Sequence, residues 1–161
     1  MQALRQIDEW PVEFAAAGVV DSEGRVHTRG DTSPAMERRN IAGTGVYEPI
    51  VGYSRAVVAG NRVHVSGTAA NPADGSPPPD DIYDQTHVCF DLIRTALEQA
   101  GTSLANVVRT RVYLVNPDDF DGFARAHGEV FGEVRPANTT VLAGLFDPRW
   151  KVEIEVEAVL P

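Results

Sequence analysis

Three carboxylates recur at every second position near the C-terminus, at Glu153, Glu155 and Glu157, and Val152, Ile154, Val156 and Ala158 alternate with them. A period of two puts the two sets on opposite faces of a strand. Like charges in one row repel unless cations or water face them. Arg109 and Arg111 alternate in the same way within Val107–Val115, against Val108, Val112 and Leu114, and are the candidate cations. A carboxylate of such a row that is partly withdrawn from water has a raised pKa and can move protons as acid or base. If it meets an arginine, it is only half of an ion pair. The alternation alone leaves Glu153, Glu155 and Glu157 open to either reading.

Other residues could serve such a carboxylate. His127 falls on the apolar side of a helical pattern with Phe120, Phe123, Ala124, Val130 and Phe131. A histidine there is more often a packed core residue than a catalyst, yet it titrates near neutrality and can carry a proton. Tyr53 and Arg55 lie two apart and share a strand face. Arg149 sits in an Asp-Pro-Arg turn. Either arginine can clamp an anion with its planar fork, or be an ordinary surface residue. Gly67 and Thr68 follow the Arg62–Ser66 strand, and a glycine there lets a ligand approach the backbone, though turn geometry alone would explain it. Asn138 and Thr140 also share a face; each can bond a ligand or only its neighbours. Cys89 lies within an apolar helix stripe and reads as core. The histidines have no metal-ligand spacing with Cys89 or the carboxylates. No phosphate-cradling glycine loop or G-x-S-x-G elbow is present. Neither a metal nor a cofactor is expected.

The elements that must position these residues follow from pattern. Val88, Cys89, Leu92, Ile93, Ala96, Leu97 and Ala100 form a helical stripe, which predicts a helix from about Asp81 to Ala100, ended by Gly101. A second helix is expected from about Pro117 to Phe131. Strands are expected at Ser54–Ala59, Arg62–Ser66, Val107–Val115 and twice more before the C-terminus. The order β-β-α-β-α-β-β with short links predicts a two-layer α+β domain over residues 49–161, a mixed sheet with two helices on one face. Residues 1–48 are read as an extension, with a short hairpin turning near Gly24 and an irregular arm from Arg29 to Gly45.

A chain of 161 residues with a net charge of −9 and a single cysteine is bounded further. One domain with an appendage fits the length. One cysteine permits no intrachain disulfide, which suits a reducing cytoplasm. No run approaches the length of a membrane span, and no signal-peptide pattern opens the chain, so no membrane partner is expected. The acidic balance argues against nucleic acid as partner, since phosphate binding needs a basic surface.

Several segments, taken in order, resemble the RidA/YjgF family: Tyr53, the Ser66-Gly67 pair ending VHVSG, VVRTRVYLVNPDDF (Val107 to Phe120), Pro136-Ala137, and Val152-Glu153-Ile154-Glu155. The resemblance spans roughly residues 50 to 160. It implies a chorismate-mutase-like fold and a homotrimer whose sheets surround a central barrel, with ligand clefts between subunits. Active members hydrolyse small enamines and imines to a carbonyl compound and ammonia. There an arginine holds the substrate carboxylate, and a glutamate with backbone groups positions the water. By this resemblance Glu153 and Tyr53 are the catalytic candidates. Asn138, Thr140, Gly67, Thr68, Arg55, His127 and Arg149 are the candidate substrate-binding residues. The chain departs from the family at one telling place: Asn138 occupies the position of the signature arginine. Arg55, then Arg149, are the candidates to replace it. The expectation is a RidA-like hydrolase of a small amine-carbonyl metabolite. The alternatives are a non-catalytic metabolite-binding trimer and a pathway-specific enzyme reusing the fold; an endoribonuclease ranks last.

Overall fold

Val152–Val159 lies inside a six-stranded sheet, and its alternation decides what each face of that sheet contains. The computed structural model describes residues 19–20, 26–27, 37–45, 47–72 and 74–161. Its elements are β1 (Val19–Val20), β2 (Val26–His27), β3 (Arg38–Ile41), α1 (Glu48–Val51), β4 (Ala56–Ala59), β5 (Arg62–Ala69), α2 (Ile82–Ala100), β6 (Val107–Leu114), α3 (Phe120–Phe131), β7 (Ala137–Leu142) and β8 (Val152–Val159). Residues 1–38 and 39–161 form two units. In the first, β1 and β2 pair antiparallel, with Val19 opposite His27. The turn expected at Gly24 lies outside the described residues.

The large sheet runs β3-β4-β5-β8-β6-β7. Neighbours from β4 through β6 are antiparallel, while β6 and β7 are parallel. Parallel neighbours need a crossover, and α3 is that crossover. This is the expected mixed α+β sheet. α2 packs on β5 and β8, and α3 packs beside it. Phe90, Ile93 and Leu97 of α2 meet Val63, Val112, Ile154 and Val156 in one core. Each such burial is worth about 1.5–3 kcal/mol. α2 starts where the Asp81 carboxylate accepts from Tyr83 N at 2.8 Å and Asp84 N at 3.4 Å. It ends at Gly101, whose φ of 92° closes the last turn.

Four local features differ from expectation. Val108 is exposed, because a register shift between Val107 and Arg109 gives the core position to Val107. Pro117–Asp119 is a separate 3-10 turn, so α3 begins at Phe120, and Phe120 itself is half exposed. β5 continues to Ala69, with a register shift between Val65 and Thr68 that makes Ser66 and Gly67 a bulge. Finally, β3 forms within the stretch read as irregular, and its Ile41 enters the core.

Candidate functional site

The bulge in β5 is where the chemistry concentrates. Glu153 on β8 pairs with Tyr113 on β6 and with Ala69 on β5. Gly67 leaves space that the Glu153 carboxylate fills: a Cβ at that position would overlap Oε1 and lie 3.0 Å from Cδ. Burial, together with the neighbouring Glu155, raises the pKa of Glu153, and Arg55 opposes the rise. Glu155 and Glu157 are held differently. Arg111 reaches Glu155 Oε2 at 3.2 Å and Glu157 Oε1 at 2.9 Å, and Tyr113 donates its hydroxyl to Glu155 Oε1 at 2.6 Å. The bond to Glu155 holds the Tyr113 phenol protonated by raising its pKa. Among the described residues Glu153 alone of the three has no cation or donor on its carboxylate. It lines a groove of about 310 Å³ with Tyr113, Glu155, Gly144, Leu145 and Phe146. Phe146 is fully exposed.

Arg55 is the cation whose charge acts on this carboxylate. Its Nη2 donates to the carbonyl oxygens of Ser66 and, at 2.7 Å, of Gly67, so it holds the two bulge residues. Its Nε is buried without a hydrogen-bond partner among the described residues. Burial lowers its pKa, and Tyr53, Glu48 and Glu153 counter that. Glu48 belongs to the same cluster: its Oε2 accepts from Gly43 N at 2.9 Å, and a Cβ on Gly45 would sit 3.3 Å from the Tyr53 hydroxyl.

Asn138 and Thr140 lie on the other face of the sheet. β7 pairs Asn138 with Thr110 and Thr140 with Val112, and both partners point toward the helices. Asn138 Nδ2 donates to Thr110 Oγ1 at 2.9 Å, and Thr140 Oγ1 donates to Asn138 Oδ1 at 3.0 Å. Thr110 Oγ1 lies 3.1 Å from His127 Nε2. His127 is packed among Phe90, Phe123 and Phe131, and this burial lowers its pKa. It is therefore a neutral ring near pH 7, linked to the surface through Thr110 and Asn138.

The structure thus gathers Glu153, Gly67, Arg55 and Tyr53 on one side, and Asn138, Thr140 and His127 on the other. Two expected residues join neither group. Arg149 is exposed and tied to Asp147 within its own turn, Nε to Oδ1 at 3.0 Å and Nη2 to Oδ2 at 2.6 Å. Thr68 is buried and donates to the Ser66 carbonyl at 2.9 Å, because the bulge turns it to the core face beside Ile154. Three residues were missed. Tyr113 extends the alternation of Arg109 and Arg111, a signal present in the sequence. Glu48 and Thr110 had no local signal.

Among the described residues no three His, Cys, Asp or Glu side chains are grouped to hold a metal, and no helix is long and apolar enough to cross a membrane. Burial raises the pKa of the Cys89 thiol far above neutrality, which keeps it inert.

The sequence profile of the endoribonuclease L-PSP family matches residues 45–160. The chain belongs to this family, the RidA/YjgF family. Its similarity to individual members is broad. An uncharacterized protein of Streptomyces coelicolor is 41% identical over 128 residues, covering 79% of this chain and 94% of that protein. A 2-iminobutanoate/2-iminopropanoate deaminase of Dermatophagoides farinae is 29% identical over 114 residues, covering 70% and 89%. The crystal structure of Rv2704 from Mycobacterium tuberculosis, a member of the YjgF/YER057c/UK114 family, superposes with a TM-score of 0.71 at 37% identity. That match covers 77% of this chain and all of the other. The RidA/YjgF fold accounts for the sheet order and for the two helices on one face.

Proposed function

We propose that this protein hydrolyses a small imine or enamine in a cleft formed between copies of the chain, with Glu153 as the proton carrier. The observation that carries this reading is the Glu153 carboxylate: half buried against Gly67, raised in pKa, and without an ion pair among the described residues while its neighbours are paired. Such a group suits both halves of the reaction. It takes a proton from water as the oxygen bonds to the carbon of the protonated imine, which gives a neutral carbinolamine. It returns that proton to nitrogen as the C–N bond breaks, and the hydroxyl proton passes to the departing ammonia as the carbonyl forms, so that R₂C=NH₂⁺ and water give R₂C=O and NH₄⁺. Arg55 keeps a share of Glu153 ionised for the first step. The deaminase named among the relatives supports this reaction class.

An assembly is part of the proposal. Glu153 and Asn138 lie on opposite faces of one sheet, so a second copy has to bring an Asn138 face to a Glu153 face. β7 is an edge strand with no charged residue, and Val141, Leu142 and the following Phe146 are exposed. An uncharged apolar edge of this kind calls for a covering partner. We take that assembly to be a homotrimer, as the family resemblance implies. The Asn138 and Thr140 side chains complete the cleft, with Tyr53 at its rim. An RNA substrate is disfavoured by the net charge of −9.

The test is ammonia release from imines generated in place by an amino-acid oxidase, with light scattering on the same sample. A trimer that accelerates release, and loses that acceleration in Glu153→Gln, is the expected result. A monomer at micromolar concentration overturns the cleft. A trimer with no acceleration on any imine overturns the hydrolase and leaves a metabolite-binding role.

A further inference from the structure

We infer that the Asn138–Thr140 edge is a specificity element for a neutral carboxamide-like group on the substrate, with Thr110 and His127 as its positioning residues. The inference rests on the proposed cleft and names what that cleft selects.

It comes from counting hydrogen-bond valences. An asparagine amide has two N–H donors and two lone pairs on oxygen. Asn138 uses one N–H on Thr110 Oγ1 and one lone pair on the Thr140 hydroxyl. Turning the amide over exchanges the partners but still uses one donor and one acceptor. Asn138 is exposed, so among the described residues one N–H and one lone pair remain open at the surface. A carboxamide carries the complementary pair, one acceptor and one donor. A carboxylate carries acceptors alone, and its second oxygen would face the Asn138 lone pair with no proton between them.

The rigidity of this edge comes from inside the protein. Thr110 is fully buried, and its hydroxyl lies between Asn138 and His127. The His127 ring is fixed by Phe123 at 5.4 Å and Phe131 at 4.9 Å between centroids. An amide held at one end by a buried hydroxyl and at the other by Thr140 of its own strand is pre-organised and loses little freedom on binding. The same network accounts for what asparagine does at this position: it presents a neutral, oriented edge where a guanidinium would present charge.

The test compares pyruvamide with pyruvate as non-hydrolysable probes, titrated into the full chain and followed by NMR or calorimetry. The imines of alaninamide and alanine are assayed in parallel. Pyruvamide is expected to bind about tenfold more tightly, the ratio one net hydrogen bond supports. Asn138→Arg should reverse the order. Thr110→Val should bring the ratio toward one, and Thr110→Ser, which keeps the hydroxyl, should retain the preference; a purely structural role would not move a ratio between two ligands. Equal or tighter binding of pyruvate, an unchanged ratio in Asn138→Arg, or binding of neither probe overturns the inference. Hydrolysis of the alanine imine without amide preference leaves the hydrolase standing and removes this inference. Amide-selective binding without ammonia release does the reverse.

Discussion

Gly67 and Glu153 compete for one volume: the carboxylate occupies the place where a side chain at residue 67 would begin. The backbone at Gly67 does not require a glycine for its φ, since the positive-φ glycines are others. Gly67→Ala should therefore fold, because the obstructing atoms are the far end of a flexible side chain. The carboxylate would have to swing away from the groove. A displacement of about 1 Å at a catalytic group can cost about a hundredfold in rate. The expected outcome is a melting temperature near that of the parent and a kcat/KM lower by roughly that factor. Equal activity would mean that the position of Glu153 is not critical.

Glu153 should lower stability while it serves activity. Its folded pKa lies above the ordinary glutamate value of about 4.3. Between those two values the folded chain binds more protons than the unfolded chain, so stability falls as pH rises through that window. Above the window the penalty is complete; below the ordinary value it is absent. Glu153→Gln should melt at a higher temperature than the parent at pH 7, and the difference should vanish below about pH 4.3. Thermal melts at several pH values check this. A variant less stable at pH 7 would show that the ionised carboxylate is favourably held.

The N-terminal boundary matters at the level of single residues. Arg39 donates to the carbonyls of Gln99 at 3.1 Å and Ala100 at 2.8 Å, closing the C-terminus of α2, and Ile41 is buried in the core. Removal of residues 1–36 should leave a cooperatively folding assembly. Removal of residues 1–45 takes away both contacts. The loss of Ile41 burial alone is about 1.5–3 kcal/mol, which corresponds to a melting temperature lower by roughly 5–15 °C. Equal melting of the two truncations would show that β3 adds nothing to the sheet.

What could be read beforehand was whatever is written in local periodicity. The alternation of β8 and β6 defined the two sheet faces, and the stripe with its Asp81 and Gly101 ends defined α2. β3 was hidden because Arg38–Ile41 has no alternation and contributes a single core side chain. The bulge was hidden because VHVSG reads as the end of a strand, and only pairing with β8 shows that β5 continues. That misreading also turned Thr68 toward the cleft. Asn138 was visible as an anomaly, but its partners were not. Thr110 and His127 lie 28 and 11 residues away: the parallel register of β6 and β7 sets Thr110 beside Asn138, and α3 brings His127 to Thr110. Arg149 looked available because nothing in a Pro-Arg turn reveals that Asp147 holds both sides of the guanidinium.

Arg55 offers the sharpest test of how the site is tuned. It acts in two ways: its Nη2 holds the Ser66 and Gly67 carbonyls, and its charge draws the pKa of Glu153 downward. The two effects separate in different variants. Arg55→Met removes both, so Glu153 should titrate higher still, and less of it is ionised at any given pH. The acid limb of the kcat/KM profile should move to higher pH, and the melting temperature should fall because two bulge carbonyls lose a charged donor, each worth about 1.5–3 kcal/mol. Arg55→Lys keeps the charge but not the planar fork. Its acid limb should stay near the parent's, while its stability drops partway. If both variants leave the acid limb unmoved, Arg55 only braces the bulge, and the titration of Glu153 is set by burial and Glu155 alone.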